Sequence, residues 1–202
     1  MKPQRSFVDV SGLPTVAFGS RAPIWWGVVC LLAIEGTVFA LLAVTYFYLR
    51  GGAGGEWPPP GVVQPSLGLT TTALVILLLS MVPMHRTSKA AEREDLRGIA
   101  RWLAVTTVLG IAFLVMRFFE FRSLTYEWRS HAYGSVVWVM LILHTFNLVT
   151  DYIESIVLTV LMHKGPLEGK RFVDVAENCG YWNFVVVTWI PIYLVVYWAP
   201  RF

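Results

Sequence analysis

Five long apolar segments determine what this chain of 202 residues can fold into. They lie at about 24–49, 67–84, 102–119, 132–162 and 180–199. A membrane-spanning helix needs about 20 predominantly apolar residues, and in lipid a helix satisfies its own backbone polar groups. The composition agrees, because 14% of the residues are charged, whereas soluble domains carry about 25%. The sequence therefore predicts an all-α polytopic membrane bundle of five transmembrane helices.

The distribution of Lys and Arg predicts the orientation of this bundle. Eleven of them lie in the N-terminal segment and in the 2–3 and 4–5 connections, on one side: Lys2, Arg5, Arg21, Arg86, Lys89, Arg93, Arg97, Arg101, Lys164, Lys170 and Arg171. Five lie on the other side: Arg50, Arg117, Arg122, Arg129 and Arg201. By the positive-inside rule the N-terminus is cytoplasmic and the C-terminus lies outside. We expect a cytoplasmic segment at 1–23 and the bundle at 24–202, as a multi-pass protein of the cell inner (plasma) membrane.

Several classes of function find no support in the sequence. The net charge of +3 is small and evenly spread, so nucleic acid is not an expected partner. Two cysteines, Cys30 and Cys179, lie in different apolar segments and are expected to be unpaired. A Gly-rich phosphate loop, a GxSxG turn and a Cys–His pair at zinc spacing are all missing from the sequence. We expect no catalytic residue, metal site or redox centre in this chain.

A single acid, Glu35, lies inside the apolar run "LLAIEGTVFALLAV". A carboxylate in the middle of a span costs roughly 2.5–3.5 kcal/mol on insertion scales. At 1.5 Å per residue Glu35 lies about 16 Å from Ile24, and His144 lies about 18 Å from Ala132. The two side chains therefore share a depth and can pair if their spans are adjacent; alternatively, a neutral Glu35 bonds a backbone carbonyl. We expect a structural role rather than proton conduction.

The fourth span carries a polar face. Its members are separated by three, four and three residues, which places them on one side of a helix: His144, Asn147, Asp151 and Glu154. This face is expected to point into the bundle or toward a partner, although Asp151 and Glu154 lie near the predicted cytoplasmic interface, where solvation is the alternative. A metal site is not favoured, because bundle metal sites draw ligands from several helices and only one histidine lies at this depth.

Six motifs in order resemble subunit III of the haem–copper oxidases, specifically of cytochrome c oxidase. They are "RAPIWWGVVCLLAIEGTVFALLAVTYFYLR", "GEWPPPG", "AAEREDLRGIARWL", "FEFRSL", "HAYGSVVWVMLILHTFNL" and "YWNFVVVTWIPIYLVVYW". The resemblance covers nearly all of residues 20–200. The family positions that carry over are Glu35, Glu120 and His144.

The chain also departs from the family pattern. Many members have seven helices, and this chain resembles the five-helix form. Asn147 and Asn183 stand where the family usually has histidines, and Val186 where it has an aspartate, whereas Asp151 and Glu154 stand where the family is commonly apolar. Asn183 is expected at about the level of Asp151 and Glu154, and our hypothesis is that polar contacts at this level have been redistributed between helices.

The resemblance implies a non-catalytic subunit of an aerobic terminal oxidase. Such a subunit binds no haem or copper, which belong to partner subunits. It packs against subunit I, in a complex that also contains subunit II, and holds phospholipid in a cleft. It supports proton uptake and the lifetime of the enzyme, and Glu35 is then expected to anchor helix packing beside the lipid cleft.

Three alternatives differ in the complex or in the activity. The related subunit of a quinol oxidase and the companion of a nitric oxide reductase share the resemblance. A small proton-coupled transporter that uses Glu35 and His144 as a relay is less favoured, because transporters usually contain internal repeats and the sequence shows none.

Overall fold

The computed structural model describes residues 17–164 and 169–202, and the described part forms helices and connections without a strand. The five long helices are α1 (Pro23–Gly52), α2 (Leu67–Glu92), α3 (Leu96–Ser123), α4 (Ala132–Lys164) and α5 (Gly169–Tyr193). All five are long and apolar enough to cross a membrane. The predicted all-α bundle of five spans is confirmed; Lys2 and Arg5 of the charge argument lie outside the described residues.

The helices extend beyond the predicted spans at their charged ends. α2 continues to Glu92 and α3 begins at Leu96, so three residues separate them. Asp95 caps α3 by accepting a hydrogen bond of 3.1 Å from the backbone N–H of Gly98. α5 begins at Gly169, well before the predicted residue 180. Hydropathy identifies the lipid-crossing part of a helix, whereas caps and breakers set where the helix ends.

Contacts between helix ends show which ends lie together. Arg50 at the end of α1 donates to the carbonyl of Ala199 over 2.9 Å. Thr71 near the start of α2 shares a hydrogen bond of 2.6 Å with Tyr193 at the end of α5. We call this the C-terminal end of the bundle, since α1, α3 and α5 end here and α2 and α4 begin here. The other end, where the first span starts, is called the opposite end.

The 1–2 connection is ordered over the C-terminal end. Gln64 donates to the hydroxyl of Tyr133 over 2.9 Å, and Arg201 donates to the carbonyl of Pro65 over 3.1 Å. Trp57, from the "GEWPPPG" motif, packs edge-on against Tyr133, with ring centroids 5.2 Å apart. These contacts tie the Pro-rich connection to α4 and to the C-terminal segment.

Burial is uneven among the helices. The largest fully buried side chains come mainly from α2 to α5, and Trp182 of α5 donates to Ser80 of α2 over 3.0 Å. We compared the most apolar 18-residue stretch of each span. In the last span, Gly169–Arg201, 56% of that stretch is buried, whereas in α1 only 6% of it is buried. α1 therefore lies at the edge of the bundle with a broad exposed apolar face.

Candidate functional site

Glu35 joins three helices through its carboxylate. The hydroxyl of Tyr181 on α5 donates to both oxygens, at 2.8 and 2.9 Å, and Nδ2 of Asn147 on α4 donates to Oε2 at 3.0 Å. In the sequence, Asn147 lies 112 residues after Glu35 and Tyr181 lies 146 residues after it. The carboxylate therefore fastens the exposed helix α1 to the buried helices α4 and α5.

His144 has a different partner from Glu35. Its Nε2 lies 3.0 Å from the carbonyl oxygen of Val185 on α5, so Nε2 carries the proton and donates. The ring is fully buried, and its centroid lies 4.6 Å from that of Trp189. Although the two side chains share a depth, the structure does not bring Glu35 and His144 together. His144 contributes to the packing of α4 on α5.

Glu120 forms a buried ion pair near the C-terminal end. Nη1 of Arg117 lies 2.7 Å from Oε2 of Glu120, and both residues are 1% exposed. The Arg117 guanidinium lies 3.8 Å above the ring centroid of Trp189 and 5.0 Å from that of Phe113. The charge count assigned Arg117 to the side on which the C-terminus lies, and the structure shows that its side chain is buried in the bundle. Arg117 and Glu120 are three residues apart, a spacing at which side chains on a helix meet, so the sequence alone could have indicated this pair.

Five carboxylates line one cavity of about 330 Å³ toward the opposite end, between α1, α4 and α5. We call it the acidic groove; it is lined by Glu35, Asp151, Glu154, Asp174, Glu177, Ile24, Val28, Leu31, Thr150, Asn178 and Tyr181. Asn178 donates to Oδ1 of Asp151 over 2.8 Å and accepts from Ser155 over 3.0 Å. The described residues that line the groove include no Lys or Arg.

Comparison with known proteins identifies the family to which this bundle belongs. The family model described as "Cytochrome c oxidase subunit III" matches residues 10–200. The chain belongs to the cytochrome c oxidase subunit III family. Membership makes it a non-catalytic subunit of an oxidase complex with other subunits, and its five spans make it a membrane protein.

The curated relatives of this subunit III cover most of its length. It is 30% identical over 174 residues to a "Probable cytochrome c oxidase subunit 3" of Mycobacterium tuberculosis, with 85% of each chain covered. It is 28% identical over 179 residues to the "Cytochrome c oxidase subunit 3" of Thermostichus vulcanus, with 87% of each chain covered. The protein of the same name from Synechocystis is 29% identical over 177 residues, which are 85% of this chain and 74% of that one.

The polar face of α4 points into the subunit III bundle, as the spacing indicated. His144, Asn147 and Asp151 are buried, and Glu154 is exposed at the mouth of the acidic groove. The exposure of the two acids at the end of the face differs: Glu154 is exposed, whereas Asp151 is 1% exposed. Asn147, which departs from the family pattern, is one of the two donors to Glu35.

The residue of α5 that meets Asp151 is Asn178, not Asn183. Asn183 lines a separate cavity with α2, beside His85 and Arg86. The sequence reading also missed the groove residues of α5: Asp174, Glu177, Asn178 and Tyr181. Three of these lie before the predicted start of span 5, although their helical spacing was a usable signal.

A second cavity of about 410 Å³ is apolar and lies along α1 and α5, from Gly36 toward the C-terminal end. Its walls include Phe39, Phe184 and Pro191. Within the described ranges, no three His, Cys, Asp or Glu side chains are placed to hold a metal ion. The chemistry that the site offers is therefore hydrogen bonding, proton binding and attraction of an organic cation, beside space for an aliphatic chain.

Proposed function

We propose that this chain works as subunit III of an aerobic cytochrome c oxidase in the cell inner (plasma) membrane. It packs against the catalytic subunit I, in a complex that also contains subunit II, and haem and copper belong to those partners. The N-terminus faces the cytoplasm. The observation that carries this proposal is the family match over residues 10–200 on a bundle of five spans.

The exposed face of α1 supports the packing part of the proposal. Ile34, Leu41 and Val44 are each 60–65% exposed and lie on one side of the helix, away from Glu35. A soluble protein would not expose such a face, whereas lipid or a second membrane subunit covers it. In this arrangement Glu35 anchors α1, because hydrogen bonds to α4 and α5 replace the packing that α1 lacks.

The apolar cavity supports a role in holding phospholipid. It is lined by aliphatic and aromatic side chains of α1, α4 and α5, and it opens toward the surroundings of the bundle. An acyl chain matches this chemistry, because the lining offers few polar partners. A phospholipid chain seated between α1 and α5 fills a gap that would otherwise weaken the attachment of α1.

The acidic groove supports a role in proton uptake and enzyme lifetime. Its carboxylates lie at the end of the bundle that the Lys and Arg distribution predicts to be cytoplasmic. Carboxylates at that surface bind protons close to where an oxidase takes them up during oxygen reduction. The subunit thereby supports turnover without a reaction centre of its own.

Copurification tests the proposal. The chain is tagged in its native host, the membranes are extracted in a mild detergent, and the reduced-minus-oxidised spectrum is recorded beside identification of the partners. We expect a haem a signal together with subunits I and II. Haem b with the subunits of a nitric oxide reductase would move the chain to that complex, and purification without haem would contradict the oxidase assignment.

A further inference from the structure

We propose that the acidic groove is the binding site for one Lys or Arg side chain of a neighbouring subunit of the oxidase complex. The inference rests on the proposed function, since the neighbour belongs to that complex. It goes further by naming the contact: a primary ammonium or a guanidinium that enters between α1, α4 and α5.

The groove concentrates negative charge, and the described residues that line it are without a Lys or Arg. Glu35, Asp151, Glu154, Asp174 and Glu177 converge on one cavity of about 330 Å³. The ion pairs Arg117–Glu120 and Arg129–Glu127 lie away from the groove. Acidic side chains within spans normally pair with one another or with a cation, so this cluster is complementary to positive charge.

Asp151 gives the groove a specific point of attachment. The residue is 1% exposed, and Oδ1 accepts from Asn178. Its Oδ2 is buried and has no hydrogen-bond partner among the described residues, although the side chain lines the groove. Since a buried carboxylate oxygen normally has a partner, Oδ2 is where a donor that the described residues do not supply would bind.

The surroundings of the groove favour a protein side chain. Ile24 and Leu31 on α1 are 42% and 43% exposed and line the groove beside the carboxylates. A helix of a neighbouring subunit can pack on these apolar residues while the aliphatic stem of a Lys or Arg runs into the groove.

Two other sources of positive charge fit the groove less well. An aminolipid headgroup carries an anionic phosphate beside its ammonium, and the remaining carboxylates repel that phosphate. For a metal ion, no three ligands in the described ranges are suitably placed.

The first test compares matched charge variants in the purified complex. Asp151→Asn with Glu177→Gln removes two groove charges and retains similar shapes, whereas Glu92→Gln removes an exposed charge at the same end outside the groove. The readout is the amount of this chain per haem a after washing in detergent. We expect at least threefold less chain for the double variant and no change for Glu92→Gln. Equal retention of the double variant would overturn the inference.

A second variant separates binding from folding. Glu154 is exposed at the mouth of the groove, so Glu154→Gln is compatible with the same packed bundle. The amount of chain in the membrane is expected to be unchanged, while retention on the complex falls about twofold. Loss from the membrane in step with loss from the complex would show a folding defect and contradict the inference.

Electron cryomicroscopy of the whole complex identifies the occupant. A Lys or Arg nitrogen of a neighbouring subunit within 4 Å of Asp151 or Glu177 is expected. A lipid ammonium, a metal ion or any other occupant in that position overturns the inference while the proposed function stands. If no haem a and no subunit I accompany the chain, the proposed function itself fails.

Discussion

Two polar regions lie within the membrane bundle, and they neutralise their charges differently. Near the C-terminal end, Glu120 is paired with Arg117 inside the same helix, and aromatic rings cover the guanidinium. In the acidic groove, amide and hydroxyl groups bond the carboxylates of Glu35 and Asp151, and no Lys or Arg lines the cavity. The first region is electrically complete within the chain. The second region has no cation among the described residues that line it, so bound protons or a cation from elsewhere would neutralise its charge.

The largest effect is expected where a buried ion pair is broken. Arg117→Ala leaves Glu120 buried without its cation, which costs about 3–5 kcal/mol of the free energy of unfolding. Denaturant titration of the purified chain in detergent micelles measures this cost. Arg122→Ala, at an exposed cation of the same helix, is the control and should change little.

A double variant tests whether pairing is the cause. Arg117→Met with Glu120→Leu removes both charges at once and replaces them with apolar groups, so most of the lost stability should return. If the double variant is as unstable as Arg117→Ala, the aromatic packing of Arg117, rather than the ion pair, dominates this region.

A smaller effect is expected at Glu35. Glu35→Leu leaves the Tyr181 hydroxyl and the Asn147 amide without their acceptor, which costs roughly 1–3 kcal/mol and loosens α1. Glu35→Gln retains an acceptor for Tyr181, and Asn147 can turn its amide to bond the new side chain. The measurement is the fraction of subunit I that copurifies with each variant. A leucine variant that copurifies normally and lowers only proton uptake would show that Glu35 does not anchor α1.

A still smaller effect is expected for a neutral hydrogen bond at the edge of the groove. Ser155→Ala removes the donor to Oδ1 of Asn178 and should cost about 1 kcal/mol. Thermal unfolding of the complex compares it with Thr159→Ala, whose hydroxyl bonds only the carbonyl of Ser155 in its own helix. Equal shifts would mean that the Ser155–Asn178 bond adds nothing specific to the α4–α5 contact.

The smallest effect is expected at the solvent-exposed pair. Arg129 and Glu127 lie 3.0 Å apart, with their side chains 73% and 69% exposed. Arg129→Ala should therefore change the stability by roughly 0–1 kcal/mol, and less in high salt. The same denaturant titration measures it, and a loss as large as that of Arg117→Ala would contradict the view that burial sets the value of these pairs.

The sequence predicted the number and type of helices because the signal is local. An apolar run of membrane length must be a helix in lipid, whatever it packs against. The polar face of α4 was also predictable, since its spacing depends on helical geometry alone. Hydropathy could not locate the first turns of α5, because Asp174 and Glu177 lie in a polar stretch that the helix nevertheless includes.

The contacts between helices were harder to predict for a physical reason. Equal depth is necessary for two side chains to meet, but the rotation of each helix decides whether they do. Glu35 and His144 share a depth, yet Tyr181 and Asn147 are the residues that face Glu35. Likewise, a count of Lys and Arg assigns each residue to a side of the membrane but does not show whether its side chain is buried, as that of Arg117 is.

The long sequence separation within the Glu35 site has a consequence for biosynthesis. Tyr181 is 146 residues from Glu35, so at about 5–20 residues per second the first helix is made roughly 7–30 s before its phenol donor exists. Asn147 is made earlier, 112 residues after Glu35, so for the last part of that interval Glu35 can have one of its two donors but not the phenol. A ribosome that stalls before α5 therefore leaves a poorly anchored first helix in the membrane.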